Sequence, residues 1–269
     1  MDQRIGDIHV RLTDTLAQVT IDRPPSNAVS VDLLRDLADT LEKLDRDGVR
    51  RAVVLAAAGR VFSSGADLSG RAEVSQQQAS AQPAASPAAQ QDSPLYEQAI
   101  RLFSTDLPII AAVQGAAVGA GLGLTLVADF RIAAPEARFS ANFTRLGFHP
   151  GFGLTYTLPR LIGQQNAARM FLTGDRFDAQ TALGMGLVDE VVPAGELLAR
   201  AHALASSIAQ NAPLAVRATR RTLRRDLAEA VRAQTRHEFA EQAWLMQTED
   251  FREGVRAVSE RRPGDFRGR

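Results

Sequence analysis

The chain contains no cysteine. That removes disulfides, thiolate nucleophiles and cysteine-ligated metals together, and it suits a reducing cytoplasmic setting. Lysine is almost as scarce: of the 31 basic residues only Lys43 is one, and it falls on the polar side of an amphipathic segment. Schiff-base chemistry, which needs a desolvated lysine, has no candidate. Net charge is also missing, at +0, so no overall field favours nucleic acid or an anionic membrane. Residues 1–30 hold no basic stretch followed by an apolar run and a small-residue cleavage site. The longest apolar stretch, Leu107–Val127, is broken by Gln114 and several glycines, and reads as a buried strand followed by a buried helix. No group of residues has metal-ligand spacing, and no separate cofactor is expected.

What is present is a core-forming chain of 269 residues, 45% hydrophobic. Residues 6–12 and 15–22 alternate as strands. Leu33, Leu34, Leu37, Leu41 and Leu44 then recur at helical spacing, and Ala52–Ala57 is a short buried-strand run. Residues 71–94 are rich in Gln, Ala, Ser and Pro with no large apolar residue beyond Val74, a composition that suits a mobile insertion or lid. Beyond it, helices are predicted at 95–105 and 120–128, with strands at Ile109–Val113 and Phe130–Ala133. The last third reads as helices at 164–173, 178–184, 196–210, 213–228 and 231–248. Strand–strand–helix units followed by a helical tail predict an α/β class. Arg220, Arg221, Arg224 and Arg225 read as a solvated helix face, with anion contact the alternative.

Two segments carry chemistry. In Val61-Phe62-Ser63-Ser64-Gly65-Ala66-Asp67-Leu68, a strand ends in small residues, leaving room for a ligand to reach its backbone. In Ile110 to Gly123 a second buried strand runs through small residues into a helix, whose first amides favour negative charge. Two converging main-chain donors of this kind, from Ala66 and Ala120, make an oxyanion hole. Other glycine motifs are excluded: after Gly119 and Gly121 the next fingerprint position is Leu124, and neither a phosphate-binding loop nor a nucleophile elbow is present.

FSSGADL followed by PIIAAVQGAAVGAGLGLTLVADFRIAA resembles the paired signature of the enoyl-CoA hydratase/isomerase, or crotonase-like, family. The likeness continues through ARFSANFTRLGFHPGFGLTYTLPRLIG and FLTGDRFDAQTALGMGLVDEVVP to NAPLAVRATRRTL, and LAQVTIDRPPSNAVS resembles the family's opening strand pair. It covers nearly the whole chain except residues 71–94. The resemblance implies a ClpP/crotonase-type α/β spiral of strand–strand–helix turns over residues 1–195. It implies a helical region over 196–269 that drives assembly as a homotrimer or a dimer of trimers. It implies an acyl-CoA thioester as substrate, coenzyme A being part of that substrate, and no partner of nucleic acid or membrane. By position, Ala66 and Ala120 supply the two oxyanion amides. Ser64, Gly65, Asp67 and Leu68 meet the adenine and pantetheine, Arg23 lies near the pyrophosphate, and Phe266 with Arg261 or Arg262 reaches the nucleotide, often that of a neighbouring subunit.

The sequence departs from the family at both acids that hydration uses. Gly123 and Phe143 stand where the resemblance places glutamates. Each missing acid–base group commonly loses ~10²–10⁴-fold in rate. His149 is the candidate substitute proton carrier. Arg145 reads either as a contact for a substrate carboxylate or as a helix-surface residue. Two functions follow: an enzyme that stabilises a thioester enolate, or a non-catalytic acyl-CoA binder that kept the hole and lost the acids.

Overall fold

A computed structural model describes residues 2–66 and 93–269. The expectations for Asp67, Leu68 and most of the 71–94 segment lie outside the described residues. The strands are β1 (Asp2–Ile5), β2 (Ile8–Leu12), β3 (Leu16–Ile21), β4 (Ala52–Ala57), β5 (Val61–Ser63), β6 (Ile109–Val113), β7 (Ala116–Val118), β8 (Phe130–Ala133), β9 (Arg138–Ser140), β10 (Arg176–Asp178) and β11 (Glu190–Val191). The described helices are α1 (Val31–Arg46), α2 (Pro94–Phe103), α3 (Ala120–Val127), α4 (Leu154–Thr173), α5 (Ala179–Gly184), α6 (Leu197–Ala209), α7 (Pro213–Leu223), α8 (Leu227–Leu245) and α9 (Glu249–Glu260).

The strands form two sheets. One has seven strands in the order β1-β2-β3-β4-β6-β8-β11, and the other has four in the order β10-β9-β7-β5. The chain deals strands alternately: β4, β6 and β8 go to the large sheet, and β5, β7 and β9, which follow them, go to the small one. Pairing from β3 to β11 is parallel, as it is along β5-β7-β9. A coil of strand–strand–helix turns is the result.

Period-2 alternation explains why the large sheet is covered on both faces. Val53, Leu55, Ile109, Ala111 and Val113 point into the main core. Ala52, Val54, Ala56, Ile110 and Ala112 point the other way, against Leu197, Ala201, Ala205 and Ala209 of α6. The alanines let α6 lie close to the strands. Helix α1 buries the predicted leucines 33, 34, 37, 41 and 44, each worth about 1.5–3 kcal/mol relative to exposure. Its start is fixed by Ser30, whose side chain accepts the Leu33 amide at 3.2 Å.

The structure corrects several boundaries. Helix α4 begins at Leu154, ten residues before the predicted start at 164, with Gly163 standing at non-helical φ 78° and ψ 159° inside it. The predicted 213–228 helix stops at Leu223, because Arg224 leaves helical geometry and Asp226 adopts φ 62°. The last helix, α9, lay unseen in the sequence; Thr248 starts it by accepting the Phe251 amide at 3.1 Å. All four strands of the small sheet are three residues long, too short to show alternation.

The arginine cluster is also corrected. Arg220 and Arg224 turn inward rather than lining a solvated face. Arg220 Nε lies 2.8 Å and Arg224 Nη1 3.0 Å from the Asp129 carboxylate, with the side chains 7% and 13% exposed. Burial, and then the neighbouring Arg220, push the Arg224 guanidinium down to about 10. Arg221 keeps the expected surface place, paired with Asp106. Among the described residues no helix is long and apolar enough to cross a membrane.

Candidate functional site

The turn after β5 and the start of α3 meet at one place. Strand β5 is held by Phe62, which is fully buried, and by Ser63, whose hydroxyl donates to the Asn27 carbonyl at 2.7 Å. Asn27 in turn donates to the Ala58 and Val61 carbonyls at 2.9 and 2.8 Å. The Ser64 amide donates to the Ser26 carbonyl at 3.0 Å, and the two serine hydroxyls lie 3.0 Å apart. The next residue, Gly65, has φ 98°, and a Cβ there would stand 2.8 Å from the Val118 carbonyl oxygen and 3.7 Å from the Ala120 nitrogen. Only glycine fits that conformation and that approach.

On the other side, the Gly119 amide donates to the Ser140 carbonyl at 2.9 Å, fixing the entry to α3. Ala120 is the first residue of this fully buried helix, so its N–H has no acceptor within the helix. A Cβ on Gly121 would approach the Ser63 carbonyl oxygen to 2.5 Å, so α3 rests directly on β5. Ala66 and Ala120 line the same cavity, of about 70 Å³. Among the described residues neither main-chain amide has a hydrogen-bond acceptor. Ser64 and Gly65 line the cavity with them.

The remaining described wall is largely aromatic: Phe143, Phe148 and Phe152, with Tyr96, Leu95 and Leu146. Phe143 and Phe148 pack edge to face at 5.5 Å. Gly123, where the resemblance led us to expect the first acid, faces Phe152: a Cβ on it would lie 2.4 Å from Phe152 Cδ1. Phe152 therefore occupies the space that a side chain at 123 would need. It is 1% exposed and takes φ 65°, a conformation uncommon for an aromatic residue. The two residues on either side of it are glycines, the one signal in the sequence that could have marked this turn.

A buried carboxylate holds the turn in place. Glu238 of α8 is fully buried and accepts the Gly153 amide at 2.7 Å, the Thr155 amide at 3.0 Å and the Thr155 hydroxyl at 2.5 Å. It thereby caps α4 from another helix. Burial, the largest influence, pushes Glu238 up to about 7, against the lowering effect of these hydrogen bonds. Its folded value thus lies above the ordinary 4.5. The stabilisation it carries is complete below the unfolded value and is lost as pH rises through about 7. From pH 5 to pH 8, the stability of Glu238→Gln relative to the parent should therefore rise, by on the order of 3 kcal/mol. Urea unfolding of both proteins at the two pH values checks this, and parallel pH dependence of the two would refute it.

Other predicted site residues lie elsewhere. His149 is outside the cavity lining. Its ring faces His237 at 5.8 Å and borders a second hollow of about 550 Å³, together with Phe266. It is the main chain of His149 that turns toward the site, its carbonyl accepting from Gln242 Nε2 at 2.9 Å. Arg23 stands in the turn braced against Ser64, with Nη1 donating to the Ala28 carbonyl at 2.9 Å and Nε 3.2 Å from Asp7. Arg262 is ion-paired with Glu253 and Glu260, holding the C-terminal segment on α9. Arg145 pairs with Asp175 on the surface, away from the cavity lining. His202 is half-buried with Nε2 2.8 Å from Gln18 Oε1. His9 is exposed and lies 3.0 Å from the Asp22 carboxylate. Sequence reasoning missed Phe152, Tyr96 and Gln242. Among the described residues no group of histidine and acidic side chains could hold a metal.

Comparison with known proteins places this geometry among relatives. The family profile described as enoyl-CoA hydratase/isomerase matches residues 11–269. The chain is 36% identical to a "Probable enoyl-CoA hydratase" of Rhodobacter capsulatus over 264 residues, covering 97% of this chain and 98% of that one. It is 35% identical over 252 residues to the 2,3-dehydroadipyl-CoA hydratase of Escherichia coli, covering 93% and 94%. A crystal structure of an enoyl-CoA hydratase/isomerase from Pseudoalteromonas atlantica superposes with a TM-score of 0.83 at 32% identity, covering 97% of this chain and all of the other.

Proposed function

Because the chain belongs to the enoyl-CoA hydratase/isomerase family, we propose that it binds the thioester carbonyl of an acyl-CoA between the Ala66 and Ala120 amides and stabilises the enolate formed there. The fold is the crotonase-like one expected from the sequence. The observation that carries the proposal is that Ala66 and Ala120, from two different turns, line one cavity and that neither main-chain amide has a described acceptor. Two such donors stabilise an oxyanion because they are fixed before charge develops, in a site with little water to compete. The α3 dipole adds to the donor at Ala120.

The walls argue for a reaction other than efficient hydration. Adding water needs one group to deprotonate it and another to protonate carbon. Phe143 cannot transfer a proton, and Phe152 fills the space beside Gly123. Chemistry confined to the α-carbon, in which a proton leaves and is returned, asks for less. The same aromatic replacement supports the second reading, an acyl-CoA binder without turnover.

Ala120→Pro tests the hole. Position 120 is the first of a helix, where proline is tolerated, and Gly119 offers no Cβ for the ring to strike. The substitution deletes the N–H and leaves the rest of the fold in place. Loss of one such donor costs roughly 3–4 kcal/mol, so any turnover measured on acyl-CoA should fall about 10²–10³-fold. Isothermal titration with acetyl-, butyryl- and crotonyl-CoA, read beside mass spectrometry of the recovered thioester, separates binding from turnover. Undiminished binding and turnover in Ala120→Pro would exclude the hole.

A further inference from the structure

We propose that Tyr96 is the proton carrier of this cavity, taking a proton from the α-carbon of the bound thioester and returning it; the proposal rests on the thioester reading above. Among the described residues lining the cavity with Ala66 and Ala120, Tyr96 is the one with an ionisable side chain. The others are aromatic hydrocarbon, aliphatic, glycine, serine or amide. His149, the histidine that sequence alone suggested, borders the other hollow.

The phenol is held in a built position. Tyr96 lies on α2 and is 7% exposed, with its ring edge-on to Phe239 at 6.2 Å. Its hydroxyl donates to Gln242 Oε1 at 2.9 Å. Gln242, 1% exposed, donates its own Nε2 to the His149 carbonyl at 2.9 Å. That second bond fixes which end of the amide faces the phenol. The space for the hydroxyl comes from Gly151, where a Cβ would stand 1.9 Å from the phenol oxygen and 2.6 Å from Gln242 Nε2. A residue with any side chain at 151 would displace both. Three segments distant in sequence thus converge to place one oxygen at the edge of the thioester site, and simple packing does not call for a hydroxyl there.

The chemistry closes on itself. The phenol first gives its proton to solvent. The phenolate then takes the α-hydrogen as a proton; the C–H electron pair becomes the enolate double bond, and the carbonyl π pair moves onto the oxygen held by the two amides. Return of a proton from the phenol to carbon regenerates thioester and phenolate. No oxidant, reductant or second acid is required. In D2O the returned nucleus is deuterium, so the step is visible without knowing the physiological acyl group. The phenolate is the form that takes the proton, so exchange should rise with pH.

The test uses the full chain with butyryl-CoA in D2O, reading α-deuterium by mass spectrometry and affinity by titration calorimetry. The parent protein should exchange with that pH slope. Tyr96→Phe should bind within threefold of the parent, exchange at least ~10²-fold more slowly, and lose the slope. Gly151→Ala, which keeps the phenol but displaces it, should lose exchange while Tyr96 remains. The proposal is overturned if Tyr96→Phe exchanges like the parent, or if His149→Gln abolishes exchange and Tyr96→Phe does not. Binding without exchange in the parent overturns it too, and leaves the thioester reading intact. No binding of any acyl-CoA removes both.

Discussion

Gly123→Glu, the substitution that would place a carboxylate where the sequence resemblance led us to expect one, should cripple folding of this protein. Its Cβ alone would come within 2.4 Å of Phe152 Cδ1 and 2.7 Å of Phe152 Cγ. Both positions are buried, so neither side chain can swing into solvent. Overpacking of this kind costs about 1–3 kcal/mol or more, and an unpaired carboxylate buried in an apolar wall adds several more. Together these approach the whole stability of an ordinary domain, roughly 5–15 kcal/mol. The expected result is insoluble protein or a large fall in Tm. Combining Gly123→Glu with Phe152→Ala should recover soluble, cooperatively unfolding protein, since the ring that blocks the new side chain is gone. Adding Phe143→Glu to that pair fills the second of the two positions where an acid was expected, and, if the thioester reading holds, crotonyl-CoA hydration should then exceed that of the parent by at least ~10²-fold. Calorimetry on the single and double variants, and loss of the enoyl absorbance for the triple one, give the answer. A Gly123→Glu protein as stable as the parent would mean that Phe152 is not fixed where the fold puts it.

Asp129→Asn is expected to have the largest effect among charge changes. This carboxylate accepts Arg220 Nε at 2.8 Å, Arg224 Nη1 at 3.0 Å and the Ile109 amide at 2.8 Å. Among the described residues it is the one ion-pair partner of both arginines. Removing it strands two mostly buried guanidinium groups side by side. Breaking a buried pair typically costs about 3–5 kcal/mol, because the charge left behind has lost its water and gained nothing. For a chain of this size that is a Tm lower by about 6–20 °C. Arg224→Met in the Asp129→Asn background removes one stranded charge and should return part of the loss. Asp175→Asn is the contrast: it breaks the exposed pair with Arg145, both side chains about half exposed, and should cost under about 1 kcal/mol. Thermal unfolding of the four proteins decides it, and an Asp129→Asn protein no worse than Asp175→Asn would refute the ranking.

Much of this architecture was legible in residue order because it depends on periodicity. The leucines of α1, the apolar run of β6 and the small-residue start of α3 each announce their element, and the proposed pair of amide donors lies where two such runs end. What remained hidden depends on pairs distant in sequence. Nothing near Gly123 says that Phe152 will fill its place, and nothing near Tyr96 says that Gln242 and Gly151 will frame its hydroxyl. Arg220 and Arg224 look like a solvated face until Asp129 is brought beneath them. The three-residue strands of the small sheet acquire identity only from their neighbours. His149 is the instructive case: residue type and loop position suggested an acid–base role, whereas backbone direction turns its carbonyl, and not its ring, toward the site.

Gly65 sets the separation between the two amide-bearing turns, since a Cβ there would stand 2.8 Å from the Val118 carbonyl oxygen and push that strand end, next to Ala120, away. It behaves as a shim of fixed thickness. The gauge of the opening is therefore not adjustable from within either turn, because every other amino acid at 65 is thicker. Accommodation of differently shaped acyl groups has to come from the aromatic side of the chamber, and directed evolution of substrate range belongs at residues 143, 148 and 152, with 65 left untouched.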